Sequence, residues 1–67
     1  MNKGLLKSFM VLHGDTIADL AEFLRITPQS VSGKINERGT EFKQGEIAAI
    51  KERYNLSAEQ VEAIFFN

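Results

Sequence analysis

Only three residues, Arg25, Ile26 and Thr27, separate two segments whose apolar residues recur at helical spacing, Ile17-Leu20-Ala21-Leu24 and Val31-Ile35. Spacings of three and four put one stripe of each segment toward a common core. A connection this short leaves room only for a sharp corner between the two helices. The small side chain of Ala21 lets the second helix cross close to the first. Leu20, Leu24, Ile26, Val31 and Ile35 then fill the space beneath the corner.

The same period runs through the rest of the chain, in Leu5-Leu6-Phe9-Met10, Ile47-Ile50-Tyr54 and Val61-Ile64-Phe65, and no stretch alternates as a strand would. The ends of the segments carry stop and start signals. Gly14 suits the left-handed residue that closes a helix, Thr16 caps the next with Asp19 three residues on, and Thr27 caps another with Pro28 at its first position. Lys43 is a poor cap, offset by Glu46 at the third helical position and by the spacing of Phe42 and Ile47, which suits a hydrophobic staple. Asn55 suits a left-handed turn, Ser57 caps, Gln60 sits three residues on, and Leu56 can staple to Val61. These signals predict helices over about 3–13, 17–24, 28–37, 44–54 and 58–66. The expectation is an all-α, compact five-helix chain with a single domain over residues 1–67. With 43% apolar residues it has enough for one core, and with no Cys it can hold no disulfide, so packing must carry the fold.

Size and inventory argue against catalysis. One His and no Cys give neither a metal signature nor a thiol nucleophile, and the glycines fall singly rather than as a phosphate-cradling cluster. His13, beside Gly14, reads as a cation near a helix C-terminus, and Asp15, Asp19 and Glu22 read as charges near a helix start. The chain is therefore expected to be no enzyme and to take no cofactor, metal or small-molecule ligand. The apolar run Leu5 to Leu12 is interrupted by Lys7 and Ser8 and is too short for a membrane span or signal core, so a cytoplasmic protein without a membrane partner is expected.

With Val31 and Ile35 placed inward, an advance of 100° per residue points Gln29, Gly33 and Asn36 away from the core, with Ser30, Ser32 and Glu37 on the flanks. Amides and hydroxyls on such a face suit the edges of bases in a major groove. Gly33 costs about 1 kcal/mol relative to Ala in mid-helix, which fits a position where a partner needs the space.

The run TIADLAEFLRITPQSVSGKIN, residues 16 to 36, resembles the helix-turn-helix of the lambda-repressor-like family, which includes the Cro proteins of phages. The matching residues are Thr16, Leu20, Ala21, Leu24, Ile26, Thr27, Val31, Ser32 and Ile35. The following EFKQGEIAAIKERYNLSAEQVEAIFF looks like the last two helices of small phage-type members, so the likeness covers nearly the whole chain. It implies a lambda-repressor-like DNA-binding domain with the helix-turn-helix at helices 2 and 3, acting as a transcriptional regulator on double-stranded operator DNA. By the resemblance, Pro28, Gln29, Ser32, Gly33 and Asn36 would read bases, while Thr16, Thr27, Ser30, Lys34, Arg38 and Lys43 would meet the DNA backbone. Two positions depart from the family pattern: Arg25 stands where a corner Gly is usual, and Ile17 where a phosphate-binding Gln is frequent.

The formal net charge is −1, against the basic excess usual in nucleic-acid binders, and the basic residues are weighted toward the first 38 positions. Modest, salt-sensitive DNA affinity is therefore expected. Phe65 and Phe66 end the last helix side by side, so one must point away from the core. Phe66 is the expected contact of a weak homodimer, with Phe65 in the core. A second reading, favoured by the acidic balance, is a protein-interaction module of anti-repressor or antitoxin type that keeps the fold with little DNA affinity.

Overall fold

The computed structural model describes residues 1–66, which form five helices: α1 (Lys3–Leu12), α2 (Ile17–Leu24), α3 (Pro28–Ile35), α4 (Gln44–Arg53) and α5 (Ala58–Phe65). No strand occurs among the described residues. The starts of α2 to α5 fall where the capping signals place them. Thr16, Thr27 and Ser57 each accept a hydrogen bond at 3.1 Å from the backbone amide three residues on. The backbone amide of Lys43 donates instead to Glu46 Oε1, at 2.8 Å. Asn2 caps α1 in the same way as the hydroxyls, its Oδ1 accepting from the Leu5 amide at 3.1 Å.

The first four helices stop by one device. A residue in the left-handed region follows the last turn: Gly14 (φ 73°), Arg25 (φ 60°), Glu37 (φ 54°) and Asn55 (φ 52°). Its amide donates to the carbonyl three residues back, and the next amide to the carbonyl five residues back. In α2 these bonds are Arg25 N–H to Glu22 O at 3.2 Å and Ile26 N–H to Ala21 O at 3.0 Å; in α3, Glu37 N–H to Lys34 O at 3.3 Å and Arg38 N–H to Gly33 O at 2.9 Å. Both orphan carbonyls are thereby satisfied. Arg25 thus adopts the corner conformation that glycine would adopt more cheaply, at a cost of about 1 kcal/mol. The expected helix over 28–37 is shorter because Glu37 is itself the left-handed stop.

Leu6, Met10, Leu20, Ala21, Val31, Ile35, Ile50, Tyr54, Leu56 and Ile64 make the buried core, with Phe42 at its edge. α2 shares its broadest contact with α3, and α5 touches both α1 and α4. The Asn2 amide, donating to Ile64 O at 2.7 Å, ties the start of the chain to α5. Phe65 is half-buried, edge-on to Phe42 with ring centroids 5.8 Å apart, whereas Phe66 is 66% exposed.

A polar clamp joins the α1–α2 connection to the end of α4. Asp15, in the α1–α2 connection, accepts from Arg53 Nε at 2.7 Å, Arg53 Nη2 at 2.8 Å and the Tyr54 hydroxyl at 2.6 Å. The Arg53 guanidinium holds the Asp15 carboxyl down at about 2 against the opposing effect of burial, and burial together with this carboxylate raises the Tyr54 phenol. Arg53 also lies over the Phe23 ring, 4.5 Å from its centroid. The clamp fixes the approach to α2 against the end of α4, and with it the corner that α2 forms with α3.

Candidate nucleic-acid interface

The start of α3, from Thr27 to Gln29, is exposed. Thr27 is extended (φ −79°, ψ 154°) and spends its hydroxyl oxygen on the Ser30 amide. Pro28 has no amide hydrogen to satisfy, and Pro28 and Gln29 are both exposed at the first turn. Ser30 and Ser32 are half-buried, so the polar face narrows beyond Gln29.

The end of α3 is built for the fold. Gly33 is half-buried; a Cβ there would meet Thr40 Cγ2 at 3.6 Å, an ordinary contact. Residues after α3 thus lie beside Gly33, which places it at the flank of the face rather than its centre. Asn36 turns its carboxamide back on the helix. Its Nδ2 donates to Ser32 O at 2.9 Å and to Ser32 Oγ at 3.4 Å, and its Oδ1 accepts from Lys3 Nζ at 3.4 Å. An amide committed in this way does not project as a base reader, which corrects the outward placement expected for Asn36.

Lys34 is a second correction. It was expected at the DNA backbone, but only 6% of it is exposed, and its ammonium donates to Glu46 Oε1 at 2.9 Å and to Glu41 O at 3.4 Å. Burial pushes the Glu46 carboxyl up, but the Lys43 amide and the Lys34 ammonium outweigh it and hold the group below the usual range. The sequence carried the signal: Lys34 lies three residues after Val31 and beside Ile35, on the inward stripe, and Glu46 supplies the counter-charge from the first turn of α4.

Thr16 is the third. Its hydroxyl and amide both bond Asp19 Oδ2, at 3.0 and 2.9 Å, and its Oγ1 accepts the Asp19 amide. A carboxylate thus occupies the start of α2, where a phosphate would have to come. Arg38 and Lys43, by contrast, are exposed on either side of the α3–α4 connection. Glu37 is exposed there too and pairs with the Met1 α-ammonium, which holds its carboxyl below the ordinary value.

The surface that remains is an uncharged polar edge of Thr27, Pro28, Gln29 and the half-buried Ser32, with Arg38 and Lys43 as exposed cations. Among the described residues no group of His, Asp and Glu is disposed to hold a metal ion. No helix there is long and apolar enough to cross a membrane. Comparison with protein families, curated proteins and solved structures gave no match in any of the three.

Proposed function

We propose that this chain is a DNA-binding transcriptional regulator of the helix-turn-helix class, in which the first turn of α3 reads operator DNA in the major groove and two copies act together. The observation that carries the reading is the corner itself. Its left-handed Arg25 closes α2 and turns the chain through Ile26 into Thr27, leaving Pro28 and Gln29 exposed at the leading end of a helix whose other faces are packed. An exposed glutamine at that end suits bidentate pairing with adenine, and Arg38 and Lys43 suit flanking phosphates. Two-fold pairing would call for a pseudo-palindrome with half-site centres about 10 bp apart.

Selection from a random DNA pool, followed by retardation at about 50 and 200 mM salt, tests the reading. An enriched motif whose affinity falls steeply with salt is expected. Arg38→Ala should weaken all sequences alike and reduce the log–log salt slope by about one, whereas Lys34→Ala should act on folding and leave the slope alone. A pool that stays random overturns the proposal. A protein-interaction module is the second reading, favoured by the carboxylate at the start of α2 and by the internal use of Lys34. A random pool at every salt concentration would favour it.

A further inference from the structure

The corner carries a charged side chain where glycine would serve the backbone better. Arg25, at φ 60° and ψ 39°, closes α2 in the left-handed region, which a residue with a Cβ enters at a cost and glycine enters freely. The bonds of that stop, Arg25 N–H to Glu22 O and Ile26 N–H to Ala21 O, are made by the backbone alone. A glycine would make the same stop, so the fold does not account for the guanidinium. Strain held at one position points to a use for the side chain that sits there.

The surroundings of Arg25 show what use is open to it. Arg25 and Lys43 are both exposed, and among the described residues neither forms an ion pair, whereas Arg53 and Lys34 are both paired. The two free cations line one shallow hollow between the corner and the start of α4, over Phe23, Leu24 and Ala49. The acid on that wall, Glu46, is already held by the Lys34 ammonium and the Lys43 amide. Arg25 stands two residues before Thr27, in the connection that leads into the exposed first turn of α3.

We infer that Arg25 grips a phosphate of the DNA backbone as a further contact beside Lys43, and that its left-handed backbone is tolerated for that contact. A guanidinium suits the task because its fork donates two parallel hydrogen bonds to phosphate oxygens. This contact presupposes the DNA reading proposed above, and it extends the cationic flank from the α3–α4 connection to the corner.

Arg25→Gly should then have two effects of opposite sign. Without DNA, the melting temperature should rise by a few degrees. In retardation on the selected duplex and on a random duplex of the same length, affinity should fall alike on both, and the log–log salt slope should shrink by about one. The parent then loses about 3.5-fold more affinity than the variant between about 50 and 200 mM salt. Arg25→Asn, neutral but tolerant of the left-handed region, should show the same loss of slope. Arg25→Lys keeps both the charge and the strain, so it should keep the slope and the melting temperature of the parent. An unchanged slope in Arg25→Gly, a loss confined to the selected duplex, or a slope lost equally in Arg25→Lys would overturn the inference and leave the DNA reading standing. An arginine that serves only the α2 dipole would show the first of these, with a lower melting temperature. A parent that binds neither duplex would overturn both.

Discussion

The two helices of the corner both begin on a threonine, yet the two starts are put to different uses. At α2, carboxylates hold the site: Asp15 is bound by Arg53 and Tyr54, and Asp19 completes a reciprocal cap with Thr16. At α3, no acid occupies the first turn, proline removes one donor, and the exposed side chain is a neutral amide. The first start is a fixed footing and the second a free edge. A capping threonine alone therefore does not mark a phosphate site, and the residue three positions on decides which use is possible.

The largest effect should come from breaking the footing. Asp15→Ala leaves the Tyr54 hydroxyl and the Arg53 guanidinium without their acceptor and should destabilise the fold by about 3 kcal/mol, measured by urea unfolding. Acid should act through the same group. Its folded-state value of about 2 lies below the ordinary carboxylate value of 3.8, so the native state holds its proton less tightly than the unfolded chain. The associated stability, about 2 kcal/mol, is fully present above pH about 4 and is lost as pH falls through about 2. Asp15→Asn should flatten that part of the stability profile. An unchanged acid limb would mean that the clamp contributes nothing to folding.

The free edge should respond differently. Gln29→Ala should leave thermal unfolding nearly unchanged, while costing about 2 kcal/mol on the preferred site and relaxing preference at one base position. Equal losses on selected and random DNA would show that Gln29 reads no base.

Much of this arrangement was legible in the sequence because it is local. Caps, staples and the apolar period depend on neighbours within about four residues, and they located every helix start together with Gly14 and Asn55. The clamp was not legible, because Asp15 and Arg53 are 38 residues apart and only the packed fold brings them together. The end of α3 fell between these cases. Glu37 gives no compositional hint of a left-handed residue, and the charge of Lys34 points to solvent while its place on the inward stripe beside Val31 and Ile35 points to the core. Asn36, next to the stop, found local acceptors in Ser32 and so left the outward face.

A smaller change tests whether the closed start of α2 is a matter of charge alone. Asp19→Asn keeps an acceptor for the Thr16 amide and removes the negative charge, at a cost of about 0.5–1 kcal/mol in helix–dipole energy. If a phosphate is kept away from this start by the carboxylate, operator affinity should rise and the salt slope should steepen. Unchanged affinity and slope, measured by retardation, would place the start of α2 outside the proposed DNA contact.

The smallest effect concerns the joint between the two starts. Arg25 sits at φ 60°, ψ 39°, where its Cβ crowds the backbone. Arg25→Gly relieves that crowding but gives the unfolded chain more freedom, so the net gain should be only about 0.5–1 kcal/mol, seen as a rise in Tm of a few degrees. Glu37 occupies the equivalent stop of α3, at φ 54°, but also answers the Met1 ammonium. Glu37→Gly should therefore gain less than Arg25→Gly, since the same steric relief is partly offset by the lost ion pair. Equal gains would show that the exposed pair contributes nothing measurable. A loss at Arg25 would mean that its side chain, rather than its backbone, holds the corner.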